Sequence, residues 1–290
     1  MLFLILFTSL LLGGAYALMA MGLTLQYGVA RIMNLSLGET LVGAAFAAFW
    51  LQTQAQVGPL PGLLVVTPAA FAFNWLVYRY LLTPLVRRAK NRGMLEVDSI
   101  LATFGLLFIF QGLMLAMFGG NYYSYSYFSE PVEIFGQPFA LNRIVAFAVA
   151  AVVALALYLG LNRTRTGTAV RAVAVDPVAA GLVAIDVART SALAFAIGGA
   201  LTACGGALLS MFLTFNASMG VVFTMKALII VIMGGVGDPR GAVIAAMLLA
   251  LAETAVATLV DPGLTLAATY GLFVLVLLFR PQGIMGRRAA

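Results

Sequence analysis

Charge is the scarcest property of this chain. Only 9% of its 290 residues are Asp, Glu, Lys or Arg, against about a quarter in soluble proteins. Histidine is absent and cysteine occurs once, at Cys204 in a glycine-rich stretch, which excludes a histidine-based metal site and a disulfide framework. Neither a phosphate-binding GxxxxGK[ST] loop nor a GxSxG nucleophile motif occurs. No catalytic residue, metal or cofactor is therefore expected, and the chain does not read as an enzyme. The first residues lack the basic stretch and the small-residue cleavage site of a signal peptide, so the N-terminal segment is expected to be a retained span. Apolar residues do not alternate with polar ones, which excludes a bacterial-type β-barrel.

What is present is hydrophobic residue, 63% of the chain. No charge occurs from Thr40 to Tyr78 or between Arg189 and Lys226, and each stretch exceeds the roughly 20 residues of one crossing. Each must hold two segments. The breaks fall at Gly58, Pro59, Pro61 and Gly62, and at Asn216, Ala217, Ser218 and Gly220. Single spans are expected at 2–25, 99–118, 144–161, 241–260 and 263–279, with further segments at 32–52, 63–82, 190–213 and 221–236. The fold class is all-α: one polytopic membrane domain over residues 1–290 with about eight or nine helical elements, some broken or re-entrant.

Basic residues cluster at Arg87, Arg88, Lys90 and Arg92, in a polar loop at about 162–189, and at Arg280, Arg287 and Arg288. By the positive-inside rule all three lie on the cytoplasmic side. The connection from Asn121 to Asn142 carries four tyrosines, Glu130 and Glu133, with no base before Arg143, as an outside loop with interfacial aromatics should. The net charge of +6 then reflects this bias, and no nucleic-acid partner is implied.

Four ionisable groups fall in apolar surroundings: Arg31, Glu39, Lys226 and Glu253. Each costs about 2.5 to 3.5 kcal/mol at a helix centre unless it faces protein or water. Glu39 and Lys226 read either as the polar lining of a pathway or as a buried ion pair, whereas Glu253, flanked by small residues, reads as a helix-packing group. In AFAIGGALTACGGALL, Gly198 and Gly205, like Gly199 and Gly206, lie two turns apart and prepare a helix for close approach. Gly234, Gly235, Gly237, Pro239 and Gly241 break the segment after Lys226, and Asn34, Ser36, Gly38 and Glu39 break one near the start. Two such breaks read as a translocation path of Asn34, Ser36, Glu39, Lys226, Gly234 and Gly235, or as ordinary cytoplasmic turns.

The polar loop TRTGTAVRAVAVDPVAAGLVAIDVART, with Arg163 just before it, brings six charges into one short island. Its spacing predicts two short helices joined at Asp176 and Pro177, a compact knob. Alanines at 169, 172, 174, 179 and 180 are expected to give it a flat face for a cytoplasmic partner, with Arg171 and Asp176 as orienting charges.

Thr166–Thr190, TGTAVRAVAVDPVAAGLVAIDVART, resembles the cytoplasmic loop of the permeases of branched-chain amino-acid ABC importers, the Liv-type family. GGAYALMAMGLTLQYGVARIMNLSLGE, KALIIVIMGGVGDPRGAVIAA and FRPQGIMGRR resemble other segments of that family in the same order, so the likeness covers nearly the whole chain. The resemblance implies an integral permease subunit in a bacterial cytoplasmic (inner) membrane. It implies two cytoplasmic ATPase subunits, a second permease, related or identical, and an extracytoplasmic solute-binding protein, with membrane lipid around. Thr166, Gly167, Arg171, Ala172, Asp176, Pro177, Ala179 and Ala180 would then receive the ATPase. Branched-chain or other hydrophobic amino acids are the implied cargo; the alternative reading is an ion-coupled secondary transporter, which has no need of the knob. Where the family commonly reads NFAHGE, this chain has Asn34, Leu35, Ser36, Leu37, Gly38 and Glu39; Val178 and Ala184 replace its usual glutamate and glycine.

The charge asymmetry gives a topology test. Cysteines at Asn91 and Ala174 are expected to label only from the cytoplasmic side and one at Ser126 only from outside; labelling of Asn91 and Ser126 from one side would overturn the threading.

Overall fold

Hydrocarbon offers no partner to a backbone amide, so long apolar segments fold as helices that satisfy their own. The computed structural model describes residues 2–89, 92–134, 137–280 and 282–285. Lys90, Asn91, Arg287 and Arg288, named above for orientation, lie outside the described residues. The chain runs through α1 (Leu2–Ala30), α2 (Leu37–Thr53), α3 (Pro59–Val77), a π-helical turn (Tyr78–Leu82), α4 (Thr83–Arg88) and α5 (Arg92–Phe118). A hairpin of β1 (Pro131–Ile134) and β2 (Gln137–Ala140), paired antiparallel, leads into α6 (Leu141–Arg163). There follow α7 (Arg165–Val175), α8 (Pro177–Leu182), α9 (Val187–Leu209), α10 (Gly220–Gly234), α11 (Pro239–Leu259) and α12 (Thr265–Phe279).

Among the described residues, seven helices are long and apolar enough to cross a membrane. The π-helical turn joins α3 and α4 into one of them, Pro59–Arg88. Pro84 begins α4 without an amide hydrogen, and the Thr83 hydroxyl bonds the Tyr78 carbonyl at 2.9 Å. The other two apolar helices are short: α2 has 17 residues and α10 has 15. At 1.5 Å per residue α10 spans only about 22 Å, less than the roughly 30 Å hydrocarbon core. Together they make nine helical elements among the described residues, two of them completed by irregular backbone at 31–36 and 210–219.

Contacts at the helix ends define two faces. At one, Tyr27 near the end of α1 donates to Glu96 near the start of α5 at 3.1 Å, and the adjoining turn carries Arg31, which reaches the Ala174 carbonyl at 3.4 Å. At the other, Phe7 packs on Phe139 with ring centres 4.5 Å apart. There Tyr123 and Phe215 also exchange backbone hydrogen bonds of 2.8 and 3.0 Å, beside Phe46, Phe49 and Phe118. The first face carries the polar loop and the second the tyrosine-rich connection, which is the segregation the charge pattern predicts.

Helices α1 and α9 form the centre, with Leu18, Met19, Ala20, Ala194, Phe195 and Ala196 wholly buried. Glycine permits this. A Cβ at Gly22 would strike the Gly198 carbonyl and one at Gly198 would strike that of Gly22. Gly205 likewise lies against Ala15, while Gly199 receives the Asn74 side chain of α3 and Gly206 abuts the Leu41 backbone of α2. The two glycine pairs of α9 thus serve two faces, one toward α1 and one toward α2 and α3. A third close approach lies past the end of α10, where residues 282–285 fold back. Ile284 and Met285 donate amides to the Met233 and Gly234 carbonyls at 2.7 and 3.1 Å, satisfying groups that a helix end leaves open.

Backbone-to-backbone contact cannot accommodate a side chain by rotamer change. Gly198→Val is expected to destabilise the protein by at least about 1–3 kcal/mol through overpacking, whereas Gly112→Val, where a Cβ meets nothing within 4 Å, leaves thermal unfolding in detergent unchanged. Equal midpoints for the two variants would remove the close-packing assignment.

Candidate functional site

The polar loop folds as the two-helix knob that its spacing predicts, and each helix end is capped by a loop residue. Thr164 accepts the Gly167 amide at 3.0 Å to start α7, and Asp176 accepts those of Val178 and Ala179 at 2.8 and 3.2 Å to start α8 behind Pro177. Asp186 starts α9 by accepting the Arg189 amide at 3.0 Å. Gly167 lies against the Gly160 and Leu161 backbone, where a Cβ would collide, so α7 can fold back tightly on the end of α6. Ala184 adopts φ 62° after α8, a left-handed position that favours glycine. That is the position at which the resembling family usually has glycine.

Of the alanines at 169, 172, 174, 179 and 180, only Ala179 lies on the outer face. Ala180 is buried, and Ala172 and Ala174 are half-buried against the core that holds Val170 and Val173. The expected flat alanine surface is corrected accordingly: small side chains let the knob sit down on the membrane helices. The exposed surface is an apolar ridge of Val175 (83% exposed), Val178, Leu182 (85%) and Val183, with Thr166, Arg171, Asp176 and Ala179 also exposed. Sequence reasoning missed this ridge because α8 has only six residues, too few to reveal a helical face.

Protein side chains meet several polar groups of the break at 31–36. Asn34 donates to Gln26 at 3.0 Å and accepts from the Ser36 amide and hydroxyl at 3.0 and 2.7 Å. Gln26 in turn bonds the Phe195 carbonyl at 3.0 Å. Thr224 of α10 accepts the Gly38 amide at 2.9 Å and donates to the Leu35 carbonyl at 3.1 Å. Thr103 of α5 accepts the Leu35 amide at 3.1 Å. Arg31, read from sequence as an intramembrane charge, is exposed on the knob side instead, with φ 55°.

Lys226 is paired with Glu253, and Glu39 is paired with neither. The Lys226 ammonium lies 2.8 Å from one Glu253 oxygen and 2.9 Å from the other, and donates to the Tyr16 hydroxyl at 2.8 Å. Tyr16 donates to Glu253 at 2.9 Å, and Thr269 donates to the same carboxylate. One charge pair thereby joins α1, α10, α11 and α12. Tyr16 and Thr269 gave no sequence signal, since a tyrosine and a threonine are ordinary residues of apolar helices.

The residues read as a path therefore separate into four environments. Asn34 and Ser36 hold the first break. Gly234 packs against the Gly241 backbone, and Gly235, at φ 105°, lies against Gly283, so the second break is a close-packed turn at the knob-side ends of α10 and α11. Lys226 lies in the ion pair with Glu253, and Glu39 lines a crevice between α2, α3 and α5.

Among sequence families, the one described as branched-chain amino acid transport system, permease component, matches residues 5–279. The chain is 30% identical to the high-affinity branched-chain amino acid transport system permease protein BraD of Pseudomonas aeruginosa, over 96% of this chain and 94% of that protein. It is 28% identical to the corresponding LivH of Escherichia coli K12, over 97% and 94%. Against a probable branched-chain amino acid transport permease protein LivH of Methanocaldococcus jannaschii it is 24% identical, over 93% and 88%.

Removing one member of a buried pair strands the other, typically at about 3–5 kcal/mol. Lys226→Met alone is expected to lower the thermal midpoint of the purified protein, and Glu253→Gln added to it should recover most of the loss. A single variant as stable as the unaltered protein would show the pair to be dispensable.

Proposed function

The chain belongs to the family of branched-chain amino acid transport system permease components, and from that premise we propose how this permease subunit works with its partners. It spans a bacterial cytoplasmic membrane with the knob on the cytoplasmic side, beside a second permease subunit, related or identical. Two cytoplasmic ATPase subunits hydrolyse ATP, and an extracytoplasmic binding protein delivers branched-chain or similar hydrophobic amino acids.

The observation that carries the coupling role is the apolar ridge of the knob. A water-facing loop has no reason to present Val175, Val178, Leu182 and Val183 together, and a contiguous exposed apolar patch marks an interaction surface. Thr166, Arg171, Asp176, Pro177 and Ala179 surround the ridge as its polar and orienting rim, while Gly167, Ala172 and Ala180 seat the knob on α6 and the core beneath. Because the knob is held by close contact, force on the ridge passes to α6 and α9, the two helices it joins. Helix α9 packs on α1, and α1 on α11, so the knob connects directly to the centre of the protein.

The test separates ridge from seat. Leu182→Glu is expected to abolish leucine uptake in vesicles and to weaken copurification of the ATPase while leaving the permease in the membrane. Ala180→Glu, which drives a charge beneath the knob, should instead lower the amount of permease. Normal uptake and ATPase retention in Leu182→Glu would remove the docking assignment.

A further inference from the structure

Glu39 has a problem that Glu253 has solved. It is 2% exposed, and among the described residues neither of its carboxylate oxygens has a hydrogen-bond donor. An unpaired buried charge is far more costly than a buried pair. At the same break the Ser36, Leu35 and Gly38 amides are bonded by Asn34, Thr103 and Thr224. The carboxylate is held where it is by glycine: Gly220 opens α10 directly against it, and any Cβ there would collide with both oxygens. Helix α10 begins without a side-chain cap, and the positive end of its dipole favours a negative group at this position.

The surroundings of Glu39 are those of a ligand and not of a packing contact. It lines a crevice of about 400 Å³ between α2, α3 and α5, within the size range of small-molecule sites. The floor is made of Gly43, Ala44 and Ala47, and the wall includes Phe73 and Phe110, whose rings meet at 5.1 Å and bridge α3 to α5. Gly43 is not there to admit a neighbouring helix, since a Cβ at this position meets nothing within 4 Å. Apart from Glu39 and Thr40 the lining of the crevice is apolar, a setting complementary to one kind of solute: a primary ammonium joined to a short aliphatic chain.

We propose that Glu39 and the crevice floored by Gly43, Ala44 and Ala47 form an amino-acid subsite on the translocation path, in which Glu39 receives the substrate ammonium and the crevice its aliphatic side chain. This deepens the transport reading above and rests on it. The subsite gives the permease its own chemical check on the cargo, independent of the binding protein.

The experiment uses the assembled permease–ATPase complex, with radiolabelled L-leucine as the probe in two assays. Uptake is measured with the binding protein present. Binding is measured without it, in competition with unlabelled leucine or its des-amino analogue 4-methylpentanoate. Loss of one charge-assisted hydrogen bond corresponds to at least about a tenfold change in affinity. Glu39→Gln is expected to lower leucine binding by that factor and to erase the preference for leucine over 4-methylpentanoate, with partial rescue by Glu39→Asp. Gly43→Val narrows the crevice and is expected to reduce uptake of leucine more than uptake of alanine. An assembled Glu39→Gln complex that binds leucine with undiminished preference overturns the subsite. So does a Gly43→Val complex with an unchanged leucine-to-alanine ratio, or one that has lost its permease pair, which would make the crevice a subunit contact. Absence of leucine uptake by the unaltered complex would instead overturn the transport reading itself.

Discussion

Backbone polar groups placed in hydrocarbon need partners inside the protein, and much of the architecture follows from where those partners come from. Helices α2 and α10 stop short of a full crossing, so irregular backbone at 31–36 and 210–219 completes them. At the first break the open amides and carbonyls are met by Thr103 from α5, Thr224 from α10 and the Asn34–Gln26 pair. Elements far apart in sequence are thereby fixed together. Breaking the helix is tolerated because protein, and not lipid, surrounds the gap.

Small residues supply the second half of that constraint. Lipid tails are as apolar as leucine, so helices in a membrane gain little from hiding hydrophobic surface and associate through close packing instead. The reciprocal contact of Gly22 and Gly198 brings two backbones together at the centre, and Gly206 brings α2 to the opposite face of α9. The same device recurs in the knob, where Gly167 and the alanines let two short helices rest on the end of α6.

The spans, the segregation of the polar loop from the tyrosine-rich connection and the two-helix knob were legible from sequence because each rests on a local signal: an uncharged run, a basic cluster, or a capping Asp followed by Pro. The glycine-rich face of α9 was legible for the same reason. What was not legible is every relation across the bundle. Nothing in the sequence near Lys226 indicates that its partners are Tyr16 and Glu253, 210 and 27 residues away. Nothing near Glu39 indicates that it has none. The alanines of the knob misled because composition reveals a small surface but not which way it faces. The glycines at 234 and 235 read as an opening in the path, yet a glycine needed for close backbone contact looks the same in sequence as one needed for a cavity.

The fold-back of residues 282–285 onto the end of α10 carries a consequence for biogenesis. Met233 and Gly234 leave the ribosome well before Ile284 and Met285, with α11 and α12 synthesised in between. Until those later residues arrive, the carbonyls at the end of α10 lack their final partners, and the turn that aligns α10 with α11 is incomplete. The last helices can therefore be inserted one after another but are locked as a group, late and in a single step. A polypeptide stalled or shortened before Gly283 would carry all its spans into the bilayer and still lack the clasp that fastens the final hairpin.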